Sequence, residues 1–133
     1  MLPLVRNHEK TWGPGWCDPA STIFWDSVRD IEPSLFRAFN PWDEITTPDA
    51  LNELFARAGI DGASAEAAEG EQALDRPEDY WDIVLGSGCR ATVDALPPEQ
   101  RDTVRDRVLA NLRSRDVRTL RSDVVFGTAS RGR

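Results

Sequence analysis

Residues 80–96 read YWDIVLGSGCRATVDAL, and the glycine pair in this stretch decides which fold the chain can have. Gly86, Gly88 and Ala91 match G-x-G-x-x-A, a variant of the loop that holds a phosphate-bearing or adenosine cofactor at a helix start. Such a loop follows a buried strand in a βαβ unit, because amides at the helix N-terminus bind the phosphate. Here helical spacing precedes Gly86, and about 45 residues after Gly88 are too few for several parallel strands. We therefore interpret the pair as the end of a helix, with Gly86 or Gly88 in a left-handed turn.

The flanks of this stretch predict two helices. The first opens at Asp75, which can cap it, while Glu78 can reach back to the cap as in a capping box. Its predicted apolar face consists of Trp81, Val84 and Leu85. The second opens at Pro98 and repeats apolar residues at helical spacing. The residues that this helix should bury are Val104, Val108, Leu109 and Leu112.

Two more helices are predicted nearer the N-terminus. In the first of them Asp18 can cap the helix and Pro19 occupies the first helical position. Pro33 should break or kink this helix. Its apolar residues are Phe24, Val28, Ile31 and Leu35. Another helix opens at Thr47-Pro48 and ends at Gly59. The residues that it should bury are Leu51, Leu54, Phe55 and Ala58.

Signals for β-strands are sparse. Residues 117–130 alternate and are rich in β-branched side chains, which is typical of a strand. Residues 60–68 could supply a shorter strand to pair with it, and residues 62–72 have the composition of a loose surface loop. Because an isolated hairpin is marginal in water, two strands alone make a poor sheet. Either the helices build the core, or the strands complete a sheet whose other members lie in another chain.

Length and charge restrict the class of protein. The chain has 133 residues, of which 40% are apolar and 29% are charged. This length and composition are typical of a single soluble globular domain. The net charge of −7 argues against a nucleic acid or an anionic membrane as partner. Residues 101–133 carry nine arginines and four aspartates, a local +5, which leaves −12 on the first hundred residues. The interleaved aspartates favour a solvated helix face over an anion-binding tail.

The cysteines and the N-terminal residues indicate the compartment. Cys17 and Cys89 are too few for a disulfide framework, and they have no metal-type spacing with His8, the single histidine. Residues 1–10 lack the apolar core of a secretory signal, and no run approaches the length of a membrane span. We therefore expect a cytoplasmic protein with two reduced thiols.

Three blocks of sequence are more specific. They read TWGP at 11–14, FNPWDEITTPDALNELFARAGI at 39–60 and RPEDYWDIVLGSGCRATVDALPPEQR at 76–101, and DVVFGTASR at 123–131 closes the series. In order and spacing they resemble the C-terminal half of small-molecule class I S-adenosylmethionine-dependent methyltransferases. The resemblance implies a fragment of a Rossmann-like methyltransferase fold of the α/β class. In such enzymes TWGP follows the fifth strand and the proline-opened helix leads into the sixth. The PEDYW helix covers the substrate side, and the last strand inserts antiparallel at the edge of the sheet.

This resemblance implies a single domain over residues 1–133, with about four helices and a short antiparallel strand pair at the C-terminal side. The cofactor loop of these enzymes, D/E-x-G-x-G-x-G, would lie upstream of Met1, as would the acid that binds the ribose. We therefore expect the chain alone to bind no cofactor, and S-adenosylmethionine to be bound only in a complex. Residues 1–10 match the expected fifth strand poorly.

The candidate functional residues are mostly aromatic. Trp12 and Trp16 lie in a loop rich in glycine and proline, where large aromatic side chains are hard to bury without outside help. In the resembling enzymes this loop lies beside the substrate. Phe24 and Trp81 are assigned with them to a substrate or partner interface. Arg90, just past the glycine pair, is a candidate for an anion across that interface, with a plain surface role as the alternative.

Three functions remain open from the sequence. The first is a non-catalytic accessory subunit that docks on a separate Rossmann-like or methyltransferase-fold protein in small-molecule, natural-product biosynthesis. The second is the substrate-side half of a split or truncated methyltransferase, in which catalysis rests on proximity and orientation. The third is a small homodimeric ligand-binding protein whose strand edges pair across a two-fold axis.

Overall fold

The computed structural model describes residues 5–37 and 41–131, which divide into two compact units. The first unit contains residues 5–16, 41–70 and 122–131, and the second contains residues 17–37 and 71–121. The first two residues of the 39–60 block lie outside the described residues. Five helices and five strands make the described part an α/β structure. In chain order these are β1 (Val5–Trp12), α1 (Ala20–Ile31), α2 (Pro48–Arg57), β2 (Ser64–Ala68), β3 (Glu71–Ala73), α3 (Pro77–Leu85), α4 (Arg90–Ala95), α5 (Pro98–Ser114), β4 (Thr119–Arg121) and β5 (Val124–Arg131).

The first unit is built on a three-stranded sheet of order β1–β5–β2. The central strand β5 is antiparallel to both neighbours, with Trp12 and Ala68 opposite Val124. Side chains alternate between faces along a strand, and in β5 Val125 and Gly127 are buried while Phe126 and Thr128 are exposed. The sheet therefore has one covered and one open face.

Helix α2 covers the buried face. Thr47 caps the helix, since its hydroxyl accepts a hydrogen bond from the Ala50 amide, and Pro48 occupies the first turn. Leu51 and Phe55 lie one turn apart and pack against Val125. A Cβ on Gly127 would lie 2.7 Å from the ring of Phe55, so this helix approaches β5 as closely as glycine permits.

A second contact network ties the loops of the first unit together. The Gly13 amide donates to the backbone carbonyl of Asp123 (2.7 Å), and the Gly70 amide donates to the Asp123 carboxylate (3.0 Å). The Ser122 amide donates in turn to the carbonyl of Gly70 (2.9 Å). The loop after β1, the loop after β2 and the start of β5 thus share one fixed arrangement.

The second unit is helical, with the short pair β3–β4 beside it. Helices α1 and α5 pack against each other, and α3 contacts both α4 and α5. Arg101 on α5 donates to the carbonyls of Val93, Asp94 and Leu96, and so satisfies the C-terminal end of α4. The fully buried side chains of this unit include Phe24, Val28, Val84, Val93, Leu96, Val104, Val108, Leu112 and Leu120.

The glycine pair lies at a helix end, as predicted, but the left-handed turn does not occur. Helix α3 ends at Leu85, and its capping residue Gly86 has φ −92°. Gly88 also lies outside the left-handed region. The side chain of Ser87 makes the turn instead: its hydroxyl donates to the carbonyl of Val84 and accepts from the amide of Cys89. A hydroxyl therefore satisfies the end of the helix, where the prediction assigned this task to glycine.

Several predicted helix boundaries are confirmed and others are corrected. Helix α5 begins at Pro98 and buries the four predicted residues, and α1 ends at Ile31 before Pro33. Helix α3 begins at Pro77 and its capping residue is Arg76, whose amide donates to Asp79, so the predicted cap at Asp75 with Glu78 as its partner is wrong. On α2, Leu54 is 41% exposed and Ala58 is exposed, so its buried stripe is narrower than predicted.

The strands differ most from prediction. β2 confirms the short strand predicted within residues 60–68 and its pairing with the C-terminal strand, whereas the loop interpretation of residues 62–72 is wrong, since they contain β2 and the start of β3. The predicted strand at 117–130 is divided into β4 and β5 around Ser122 and Asp123. β1 occupies a stretch that matched a strand poorly. The expected strand pair is thus part of a three-stranded sheet. None of the helices in the described residues has the length and apolar character needed to cross a bilayer.

Candidate functional site

The open face of the first unit's sheet is the candidate functional surface. Alternation along the strands places its side chains opposite α2. Its described members are Trp12, Ser64, Glu66, Ala68, Val124, Phe126 and Thr128. Trp12, Val124 and Ala68 form one row across the three strands, and Phe126 and Glu66 lie opposite each other in the next. The open face therefore has an apolar end near Trp12.

Trp12 and Trp16 extend this apolar end. Their rings stack with centroids 5.3 Å apart and planes 30° apart, and Trp12 is still 49% exposed. The loop between them cannot shift freely, because a Cβ on Gly13 would lie 2.6 Å from that of Asp123. Gly15 has φ +66°, a conformation that glycine adopts readily. The prediction that this loop presents its tryptophans at the surface fits Trp12 best, since Trp16 is half-buried.

The opposite end of the open face is polar. The hydroxyls of Ser64 and Thr128 lie 3.3 Å apart across β2 and β5. Glu66, between them and the aromatic end, is exposed, while Phe126 opposite it is 41% exposed. Among the side chains that the structure describes, the open face thus offers aromatic surface, a carboxylate and a pair of hydroxyls to a partner.

The other two aromatic candidates lie in the core of the second unit. Phe24 is 0% exposed and Trp81 is 7% exposed, with ring centroids 6.3 Å apart. Trp25 meets Phe24 edge-on at 5.1 Å. These geometries are typical of packed aromatic side chains and stabilise the contacts between helices. The assignment of Phe24 and Trp81 to an interface stays a prediction.

Arg90 lies at the first residue of α4. Its guanidinium is 3.5 Å from the carboxylate of Asp94, one turn along the helix, and both side chains are well exposed. An exposed pair of this kind contributes about 0–1 kcal/mol. Arg90 belongs to the second unit with Phe24 and Trp81, so the five candidates do not form one constellation within either unit.

A cluster that the sequence did not predict surrounds Tyr80. Tyr80 and Cys17 are buried and Cys89 is half-buried. Burial, the Cys89 thiol and Asp18 raise the pKa of Cys17 to about 11. Burial and both thiols raise the pKa of Tyr80 well above its ordinary value, against a hydrogen bond with Ser21. Since the thiolate is the nucleophile, such thiols are unreactive near neutral pH.

Cys89 differs from Cys17 in its neighbours. Burial raises the pKa of Cys89, whereas a hydrogen bond with Ser87 and the charge of Arg37 lower it. The cluster is therefore neutral at physiological pH and has the character of a packed core. Only the fold brings Cys17 to this cluster, because it lies more than sixty residues before Tyr80 and Cys89 along the chain and the three follow no motif.

The second unit also has an open groove of about 430 Å³ beside Leu74 and Leu112. Both arginines that line it are paired with carboxylates: Arg118 with Asp116 at 2.9 Å, and Arg113 with Glu78. A ligand anion would have to compete with these carboxylates. Over residues 5–37 and 41–131, no three His, Cys, Asp or Glu side chains come together as a metal site.

Comparison with known proteins gives no family for this chain. No family model matches the sequence, and a search of the curated proteins finds no match. Functional inference therefore rests on the open face, the strand order of the sheet and the resemblance of the sequence blocks.

Proposed function

We propose that this chain is a non-catalytic, methyltransferase-like accessory subunit that docks on a separate Rossmann-like or methyltransferase-fold protein. Its setting would be small-molecule, natural-product biosynthesis in the cytoplasm. The observation that carries the proposal is the position of β5, which lies antiparallel between β1 and β2. The resemblance to methyltransferases implies an antiparallel last strand, as β5 is, although it places this strand at the edge of the sheet and β5 is the central strand here.

The positions of the TWGP block and of helix α2 support the same proposal. The TWGP block begins at the end of β1, as it follows the fifth strand in the resembling enzymes. Helix α2 opens at a proline and leads into β2, as the corresponding helix leads into the sixth strand. The order of these three elements along the chain supports the proposed resemblance. The resemblance also implies a fragment of a larger Rossmann-like sheet, which continues beyond the fifth strand.

The edge of β1 is where the partner would continue the sheet. Among the described residues no strand pairs with the outer side of this eight-residue strand. A sheet edge presents a row of amides and carbonyls that another chain can pair with. Trp12 and Trp16, at the end of β1, would then contribute a wall to the partner's substrate pocket, as their position in the resemblance implies.

The test uses the protein encoded by the adjacent reading frame that carries a D/E-x-G-x-G-x-G loop. We expect the two chains to form a stable heterodimer by light scattering. Hydrogen exchange of the complex should show new protection of β1 amides, while β2, at the other edge of the same sheet, serves as internal control. A chain that stays monomeric beside every encoded neighbour, or a complex that protects β2 and leaves β1 unchanged, overturns the proposal.

A split methyltransferase is the second candidate. Trp12 favours it, because this side chain is exposed and lies on the loop that the resemblance places beside the substrate. Here both chains would be needed for methyl transfer. Calorimetry with S-adenosylmethionine separates the two functions: the isolated chain should give no heat, and only a split enzyme turns over after assembly. A homodimer by light scattering without any partner would favour the ligand-binding protein instead.

A further inference from the structure

Helix α2 has a second apolar side, which is exposed in the described part of the chain. The helix packs on β5 through Leu51 and Phe55, and both of these side chains are buried. Leu54 and Ala58 lie one turn apart on the adjacent side of the helix, where both are exposed. Leu54 is 41% exposed, and so is Ile60, just beyond the end of α2. The apolar stripe of α2 therefore extends beyond the part that the sheet covers.

This exposed surface, the outer face of α2, consists of Leu54, Ala58 and Ile60. The turn that ends the helix holds Ile60 in place. Gly59 has φ +76°, and the amide of Ile60 donates to the carbonyl of Phe55 (2.9 Å), as in the turn that commonly closes a helix. The outer face is therefore a preformed surface of the helix and its closing turn.

Two side chains of opposite charge border the outer face. Glu53 and Arg57 are exposed, and they lie four residues apart along α2 on the solvent side of Leu54. Within the part of the chain that the structure describes, neither forms an ion pair. Asp49 is turned about 140° around the helix from Leu54 and so lies away from this face. Asp61 lies beyond the helix end. The charges beside the apolar surface are therefore one acid and one base.

The order of these charges selects a second copy of the same helix in antiparallel orientation. A two-fold axis at the level of Phe55 places residue 53 of one helix opposite residue 57 of the other, because positions equidistant from the axis face each other. Each Glu53 then meets Arg57 of the second copy, so one contact contains two ion pairs. A parallel copy would set each charge against its like. The outer face of α2 is therefore complementary to itself.

Length and net charge limit the strength of this contact. Helix α2 has ten residues and is about 15 Å long, so one of its faces covers less than the roughly 800 Å² that each partner contributes to a stable interface. The net charge of −7 on each copy opposes association, but salt screens charges more than about 8 Å apart. We therefore expect a weak, reversible dimer whose orientation is determined by the charges at the contact.

We propose that the outer face of α2 binds the same face of a second copy of this chain, with the two Leu54 side chains at the centre and Glu53 opposite Arg57 on each side. The inference is independent of the resemblance to methyltransferases. It concerns a helix that covers one face of the sheet, whereas the proposed accessory function concerns the edge of β1.

Sedimentation of the full chain at concentrations between about 1 μM and about 1 mM measures the dimerisation. The average mass should rise with concentration from that of a monomer towards twice that value. Leu54→Ser should weaken the dimer at least about tenfold, because both copies lose their central apolar contact. Phe126→Ser is the matched control, since Phe126 has the same 41% exposure but lies on β5, and it should leave the dimer unchanged.

Charge reversal tests the antiparallel pairing. A Glu53→Arg chain carries two arginines at the contact and an Arg57→Glu chain carries two glutamates, so each variant alone should dimerise about fivefold more weakly. An equal mixture of the two variants should dimerise as the unmodified chain does, because both ion pairs form again. Arg115→Glu changes the net charge as Arg57→Glu does, but it lies in the other unit and should have no effect. Circular dichroism verifies that each variant is folded.

Three results would overturn the inference. One is a chain that stays monomeric over the whole range of concentration, and another is a mixture of the two charge variants that dimerises no better than either alone. The third is a dimer that Leu54→Ser leaves intact and in which amides of β1 or β2 gain protection from hydrogen exchange. Such a dimer pairs its strand edges, as the ligand-binding alternative requires. The heterodimer expected at the β1 edge is measured with the Leu54→Ser chain, so the accessory function is judged separately.

Discussion

At the scale of the residue, Cys17 has an unusual environment. It is buried, and its φ of +62° lies in the left-handed region that side chains other than glycine seldom adopt. Its amide donates to the carbonyl of Arg121 at 2.7 Å, which holds the turn before α1 against β4. A thiol fits here because the site is apolar and small, and burial keeps it protonated.

The raised pKa of Cys17 predicts a loss of stability at alkaline pH. The folded state favours the neutral thiol. Its contribution to the free energy of unfolding is therefore complete below the ordinary pKa of 9.0 and disappears as the pH rises through about 11. Tyr80, whose pKa is also raised, adds to the loss in the same direction at higher pH. Urea denaturation at intervals between about pH 8 and about pH 11 measures the free energy of unfolding.

The control for this prediction is Cys17→Ala, which cannot ionise. Its free energy of unfolding starts lower, because buried volume is lost, and should fall less steeply between pH 9.0 and about 11. If the free energy of unfolding falls equally steeply with pH in both proteins, the ionisation of Cys17 does not contribute to the loss of stability.

At the scale of the element, the packing of α2 on β5 depends on Gly127. A Cβ there would lie 2.7 Å from the Phe55 ring and 2.9 Å from Leu51 Cδ2. Gly127→Ala should therefore destabilise the protein by about 1–3 kcal/mol, the usual cost of overpacking a core. Gly88→Ala is the matched control, because nothing lies within 4 Å of its Cβ, and its effect should stay within about 0.5 kcal/mol.

A second substitution tests the cause of that destabilisation. Phe55→Leu removes the ring that the added methyl group contacts, so the double variant should be more stable than the sum of the two single effects predicts. Chemical denaturation of the four proteins gives this coupling. Additive effects, or a Gly127→Ala cost no larger than that of Gly88→Ala, would contradict the packing argument.

Element boundaries were predictable where the interactions are local. Thr47 and Pro48 predicted the start of α2, and Pro98 predicted that of α5, because capping and helical spacing act within one or two turns. The glycine pair was correctly assigned to a helix end. The role of Ser87 there was missed, since the same turn can be made by a glycine or by a hydroxyl, and both occur at adjacent positions.

At the scale of the whole molecule, the chain alternates between its two units in five consecutive segments. The last segment supplies β5, the strand that pairs with both β1 and β2. A chain ending at Arg121 should therefore lose hydrogen-exchange protection in β1 and β2 and expose Leu51 and Phe55. Helix α5 should keep its protection, because its buried residues belong to the other unit.

The control is a chain ending at Arg131, which retains all of β5 and should match the full chain. Hydrogen exchange followed by mass spectrometry on the three chains measures the effect for each element. Protected β1 amides in the chain that ends at Arg121 would contradict the central role of β5, and loss of protection in α5 would show that the units unfold together.

The sequence by itself predicted α1, α2, α3 and α5, the assignment of the glycine pair to a helix end and the exposure of Trp12, but not the short helix α4. The sequence also predicted the pair that is observed as β2 and β5. Only the tertiary structure showed that β1 joins them: it pairs with β5 across more than a hundred residues, Val5 opposite Arg131. Helical hydrogen bonds join residues four apart and leave a periodic trace, whereas strand partners are distant and β1 is largely polar. For the same reason the Cys17–Tyr80–Cys89 cluster became visible only in the folded structure.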